Sequence, residues 1–328
     1  MAAVADGSID IYFEWTLIYF GRSSPGEGNR GSRPTTAKTC DQNRAMFARS
    51  VNQMTGLLIP FAALFWPTDA STQPALQETN AEVERESDNP VTRFFTLPLR
   101  YKSSLDDGFY RGTTSTLEIN NALVPVPVGE DWFLIARSKG AFVSQAPKAQ
   151  GASWANGLNN AQTTLFFSPA SGNGFFWGAG PVISLPTATN SATGNNEWGA
   201  GPSIAFSWQR AAHWTLALVA NNVWGLGELP AGSARPSNLL LNPIVSYRFG
   251  DGWSLSTSPN ITANLSKSEN RWTVPVGAGL GKAFKIGAQP VSLKIETYYN
   301  AVRPDGASVW MAQLTLTFFS RDSAGPYW

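Results

Sequence analysis

The chain is poor in the residues on which many enzyme and metal sites depend. Its 328 residues include one cysteine, Cys40, and one histidine, His213. A Cys/His zinc site is therefore excluded, and so is a fold stapled by internal disulfides. A serine nucleophile with a histidine base would have to use His213, which precedes Trp214 at an expected turn and suits an interface position better than catalysis. Charge is also scarce, at 14% of residues against roughly a quarter in ordinary soluble domains. The net charge of +1 names no nucleic-acid or other polyanionic partner. No apolar run is long enough for a membrane-spanning helix, and the mean hydropathy is −0.15.

Against these shortages stand 30 glycines, 13 tryptophans and 19 phenylalanines. The most informative stretch is Trp253 to Leu265. Trp253, Leu255, Thr257, Pro259, Ile261, Ala263 and Leu265 alternate with Ser254, Ser256, Ser258, Asn260, Thr262 and Asn264. A period of two puts the sets on opposite faces of one strand. The run is about twice the usual strand length. A long strand apolar on one face and polar on the other is what a transmembrane β-barrel requires.

Twelve such segments are expected, at 91–104, 113–126, 131–143, 161–168, 174–186, 197–208, 213–224, 237–249, 253–266, 271–284, 290–300 and 309–319. Short connections alternate with mostly longer ones, the pattern of periplasmic turns and outer loops in an antiparallel up-and-down barrel. An even strand count places both ends of the barrel chain in the periplasm. Aromatics collect at strand ends. Trp132, Trp177, Trp208, Trp214 and Trp253 fall near the short turns, and Trp198, Trp224, Trp272 and Trp310 near the long loops. Two belts of this kind mark the two membrane interfaces. The expected lipid face is apolar throughout except at Asn121, Asn222 and Lys282.

The apolar run 56–66 follows Arg49 and precedes Ala70, which resembles a secretory signal. The expected organisation is a signal peptide at 46–70 and a polar, acidic periplasmic linker at 71–89, weakly helical. The all-β barrel follows at 90–319, with a tail at 320–328. Residues 1–45 then read as an extension outside the native protein, with translation starting at Met46 or Met54.

Several phrases resemble one family. They include Phe166-Phe167-Ser168-Pro169, Trp177-Gly178-Ala179-Gly180-Pro181, Leu185-Pro186-Thr187-Ala188-Thr189, Trp198-Gly199-Ala200-Gly201-Pro202 and Arg271-Trp272-Thr273-Val274-Pro275-Val276-Gly277. The chain resembles, over about residues 75–319, bacterial outer-membrane transporters related to the MetA-pathway phenol-degradation proteins, some of which carry the label neuromedin U. The resemblance implies an outer-membrane barrel in a Gram-negative bacterium and a role in uptake of small molecules. It implies no substrate.

The polar face carries the candidate site. By strand parity the lumen receives Arg100 and Lys102, then Glu118 with Asn120, then Arg137 and Lys139. Arg248, Arg271, Lys294 and Glu296 complete the set. Cations outnumber anions, and a narrow ring of cations favours anionic solutes. The same charges could instead pair and plug a small barrel. The phosphate-like run Gly277 to Lys282 sits inside a strand and lacks the Walker spacing, so its glycines are expected to make room for bulky neighbours.

The expected function is a porin-like channel for passive passage of small solutes, anionic or aromatic, with loop 144–160 and Trp154 at its entry. A structural or interaction barrel with a closed lumen is the alternative, and a lipid-acting membrane enzyme a weaker one. No cofactor, metal or nucleic acid is implied. The expected partners are outer-membrane lipids, the barrel-assembly machinery and a small-molecule solute.

Overall fold

A computed structural model describes residues 80–211, 213–228 and 235–320. The expected signal peptide, the N-terminal extension with Cys40, residues 71–79 and the tail beyond Ser320 lie outside the described residues. Described are one helix, α1 (Asn80–Ser87), and fourteen strand segments. These are β1 (Phe95–Asp107), β2 (Gly112–Val128), β3 (Trp132–Gln145), β4 (Ala155–Leu158), β5 (Gln162–Pro169), β6 (Phe175–Ser184) and β7 (Gly199–Trp208). They continue as β8 (Trp214–Gly225), β9 (Ser237–Gly250), β10 (Trp253–Thr257), β11 (Ile261–Asn264), β12 (Trp272–Ile286), β13 (Gln289–Val302) and β14 (Trp310–Ser320).

The segments form twelve antiparallel staves closed into a barrel. β4 and β5 share one stave against β3, and β10 and β11 share another between β9 and β12. Closure runs from Phe95↔Ser320 to Leu105↔Trp310 between β1 and β14. A closed sheet leaves no row of unpaired backbone groups, which hydrocarbon would not tolerate. Burial is inverted relative to a soluble domain. Ile295 and Val276 on the outside are 58% and 62% exposed, whereas Ser292 and Glu296 inside are 2% and 1% exposed. An apolar exterior around a polar interior is stable only with lipid outside.

The Trp253–Leu265 strand keeps one register along its length, although its ladder is interrupted. Thr257↔Val245 and Ile261↔Leu241 belong to the same pairing with β9, and Ser256↔Gly279 and Thr262↔Thr273 to the same pairing with β12. Pro259 lacks a donor, so the ladder cannot run through it. Lumen side chains satisfy the freed backbone instead. Asn242 Nδ2 donates to the carbonyls of Ser258 (3.0 Å) and Pro259 (3.1 Å), and Ser258 N donates to Tyr298 Oη (2.9 Å). The hairpin before this stave turns through Asp251 (φ 47°) and Gly252 (φ 72°), the two positive values that a tight two-residue turn requires.

Three lipid-face exceptions resolve differently. A bulge on β2 separates Ile119↔Gly140 from Ala122↔Ser138, with Asn121 at φ 64°. The extra residue shifts the facing, so Asn121 lines an inner cavity rather than meeting lipid. Asn222 stays near the long-loop rim and is hydrogen-bonded to Ser237 Oγ (3.2 Å). Lys282 lies 5.0 Å over the Trp253 ring and donates to the Asp251 carbonyl, as a snorkelling cation does.

The β12 glycines leave space for their neighbours. A Cβ on Gly279 would lie 2.2 Å from Ile295 O and 2.4 Å from Glu296 Cγ. Gly279→Ala is expected to destabilise the barrel by about 1–3 kcal/mol through overpacking against backbone. The check is the fraction of protein that refolds to the compact, heat-modifiable form.

Inside the barrel, α1 packs against β9, β12 and β13. Val83 joins Phe94, Ala283 and Phe319 in one buried cluster. Val91 enters a second, with Leu123, Phe133, Ile135, Phe166, Ala170, Ala205 and Val219. The described part of the expected linker thus lies against the inner wall at the short-turn end.

Candidate functional site: a charge-divided lumen

Staves β1 to β3 present a basic wall. Arg100 Nη1 lies 3.6 Å from Glu118 Oε1, and Arg100 Nε donates to Thr315 Oγ1 at 3.0 Å. With its amide oxygen turned to the guanidinium, Asn120 accepts from Arg100 Nη1 (3.2 Å) and Nη2 (2.6 Å). Arg137 follows on β3, 8% exposed, with Lys139 two residues further on the same face. Among the described residues, Lys102, Arg137 and Lys139 form no ion pair. Glu118, the acid on this wall, is held by Arg100 and also lies within Coulombic reach of Lys139, so cations outnumber their counter-charge there and dominate the local field.

The opposite wall carries the acids, and α1 with Asp88 just after it supplies most of them. Asp88 Oδ1 meets Lys294 Nζ at 2.5 Å, with both side chains buried. Glu86 Oε2 accepts from Asn89 Nδ2 (2.9 Å), and Ser292 Oγ reaches Glu84 Oε2 at 3.5 Å. Glu296 accepts from Ser258 Oγ (3.1 Å), Tyr298 Oη (2.8 Å) and Gln313 Nε2 (2.7 Å), so both its carboxylate oxygens are engaged. Arg248 donates to Thr215 Oγ1 (2.6 Å). Between the walls lies a cavity of about 110 Å3, lined by Arg100, Arg137 and Lys294 and by Glu86, Asp88 and Glu296. A solute there would sit in a field directed across the lumen.

Glu84 is fully buried, and its Oε1 has no hydrogen-bond partner. Burial pushes its carboxyl from 4.5 up to about 7, with Lys294 opposing the shift and Asp88 adding to it. The folded value exceeds the unfolded one, so the unfolded chain gives up this proton first. Seating of α1 therefore weakens as pH rises from about 4.5 to about 7, and the loss is complete above that window. Glu84→Gln is expected to abolish this slope, measured as protease protection of α1 across that range.

Towards the short-turn end the lumen is apolar, filled by the Val91 cluster. Arg93 closes it over, 5.0 Å from the Phe133 ring centre and 5.7 Å from that of Phe176, and donates to Pro169 O at 3.1 Å. Sequence parity on charged residues alone missed this layer. Its signal is the run Phe133-Leu134-Ile135-Ala136, apolar on both faces of one strand.

At the long-loop end a second cavity, of about 450 Å3, opens among β5 to β9 and β11. Of the expected entry loop, 144–160, Asn159 and Asn160 line the larger cavity, and Trp154 lines neither. β4 pairs back onto β3, Lys148 is held by Asp107 at 2.6 Å, and Trp154 stands exposed. Arg271 sits just before β12, exposed, and lines neither cavity.

The belt tryptophans lie at the stave ends. Trp132 stacks on Phe167 (4.7 Å) and meets Trp177 edge-on (6.2 Å), and Trp214 packs on Tyr247 (4.9 Å). Trp208 is opposite Phe175, and Trp253 lies under Lys282. At the other end Trp310 packs on Tyr299 (5.0 Å), Trp272 pairs with Ala263 and Trp224 with Ser237, and Trp198 is exposed just before β7.

Among solved structures, an outer-membrane channel from Pseudomonas putida F1 matches with a TM-score of 0.53 at 14% identity, over 76% of this chain and all of that one. The chain has the fold of a bacterial outer-membrane β-barrel. Weaker likenesses are the NanC porin (TM-score 0.43, 10% identity, 68% of this chain and 98% of that one) and a Salmonella typhi outer-membrane phospholipase (0.37, 12%, 75% and 98%). At these identities the likeness is one of fold. No protein-family model and no curated protein matches the sequence. Function for this outer-membrane barrel therefore rests on its own lumen.

Proposed function

We propose that the protein is a narrow outer-membrane channel that admits small anionic solutes passively. The observation that carries this reading is the unpaired basic wall of Lys102, Arg137 and Lys139, facing acids that are held by their own partners. An anion crossing the lumen gains from the former and is not strongly opposed by the latter. The local phrases shared with the MetA-pathway-related transporters fit a role in uptake. In this reading the short turns and both ends of the barrel chain face the periplasm, the barrel-assembly machinery inserts the chain, and lipid covers the outer wall. Passage needs no catalytic group, and His213 is engaged with the Arg248 carbonyl at 2.9 Å.

A second reading, a closed structural barrel, is favoured by one feature, the apolar layer around Val91. Conductance in planar bilayers separates the two. The channel reading expects discrete openings with anion preference, and liposome swelling faster with small anions than with neutral or aromatic solutes. A folded barrel with neither conductance nor flux overturns it.

A further inference from the structure

The larger cavity, at the long-loop mouth, has a chemistry opposite to that of the basic wall. Its floor is a row that starts at Gln162 and continues through small residues on consecutive staves. Gln162 pairs with Ser184, Ser184 with Gly199 and Gly199 with Gly225. Ser and Gly on successive staves hollow the wall, whose next position on the row is shaped by Pro236 against Gly225 (N to O 2.9 Å).

One side of the hollow is the connection between β6 and β7, folded over the β4–β5 junction. Leu158 N donates to Thr189 Oγ1 (2.9 Å), and Thr193 Oγ1 donates to Leu158 O (2.8 Å). Asn160 Nδ2 donates to Asn195 Oδ1 (2.6 Å) and to Glu197 O (3.1 Å), while Asn196 N donates to Asn160 Oδ1 (3.2 Å). A cavity whose walls are fastened in this way is preorganised, so little ordering cost attends binding.

The groups left over point to the ligand. Among the described residues, the side chains of Gln162 and Asn238 make no hydrogen bond, and both line the cavity. Asn159 and Asn264 spend their amide oxygens on Ala141 N and on Ser266, and among the described residues no acceptor takes their NH2 groups. Each amide offers a donor, an acceptor or both to a hydroxyl. Trp198, Val223 and Pro236 add apolar surface. The only ionisable residue in the described lining is a carboxylate, Glu197, which disfavours an anion there. The volume of about 450 Å3 falls within the range of small-molecule sites, roughly 300–1,000 Å3.

We propose that this mouth cavity is a binding site for a neutral, polyhydroxylated small molecule of the sugar or polyol class, held by amide hydrogen bonds from Gln162, Asn238, Asn159 and Asn264. The site shares no lining residue with the smaller, charged cavity, although it adjoins the basic wall where Gln162 pairs with Lys139, and it does not depend on whether the barrel conducts.

The test is equilibrium binding of D-glucose to the folded full-length protein in detergent, followed by saturation-transfer NMR, with sodium acetate as the anionic competitor. Gln162 and Asn238 take no part in the hydrogen bonds that fasten the loop, so Gln162→Leu and Asn238→Leu are expected to fold. Saturable glucose binding that acetate does not displace, weakened about tenfold in the double variant, is the expected result. No saturable signal from the folded protein, displacement by acetate, or unchanged affinity in the double variant would each overturn the proposal. A non-conducting barrel that still binds glucose would sink the channel reading and leave this site standing.

Discussion

Arg137→Glu is expected to lower the anion-to-cation permeability ratio by more than tenfold, measured from reversal potentials across a salt gradient. Arg137 is buried in the inner wall beside the cavity that separates the basic and acidic sides. The substitution changes the local charge by two units. Even at the dielectric constant of water, one unit at 4 Å is worth about 1 kcal/mol, so two units reach roughly 2 kcal/mol. Salt screens such fields, and the effect should shrink at high ionic strength. Arg137→Gln should fall between the wild type and the Glu variant. Arg271→Glu is the control: Arg271 is exposed at the rim and lines neither cavity, so its reversal should move selectivity little. Equal effects at the two positions would place selectivity in the rim rather than in the lumen.

The second large effect is expected from Lys294→Met. It keeps much of the stem but strands Asp88, whose Oδ2 already has no hydrogen-bond partner. Breaking a buried ion pair on one side costs about 3–5 kcal/mol. The strain has an outlet that does not require the barrel to unfold, because α1 and the residues after it are not staves. The expected outcome is release of residues 80–91 from the lumen, seen as protease cleavage within that segment and a severalfold rise in conductance. The paired variant Lys294→Met with Asp88→Leu removes both charges and should restore protection. If Lys294→Met leaves cleavage and conductance unchanged, the segment is not held by this pair.

The staves were legible because their signal is local and repeated. Alternation at Ser254, Ser256, Leu255 and Trp253 reflects backbone pleat alone, and lipid on one side enforces it strand after strand. Arg100, Arg137, Lys294 and Glu296, expected on the inner wall by the same parity, line the smaller cavity. Parity fails where the backbone gains a residue, as at the Asn120–Asn121 bulge, because a single insertion reverses the facing without any mark in composition.

The segment before β1 was illegible for another reason. Residues Asn80 to Asp88 are mostly polar and acidic, and such a stretch ordinarily lies in water. Their burial depends on partners more than two hundred positions away: Lys294 for Asp88, Ser292 for Glu84 and Phe319 for Val83. The mouth cavity is equally non-local, since its floor joins Gln162, Ser184, Gly199 and Gly225 from four staves.

By itself, then, the sequence determined a closed antiparallel barrel of twelve two-faced staves, because side-chain alternation follows from pleat geometry within each strand. Only the tertiary structure decided which charges pair, what fills the short-turn half of the lumen and where the wall is hollow. Those depend on stave-to-stave register and on one short segment folding into the barrel, and neither is written in the pattern of any single strand.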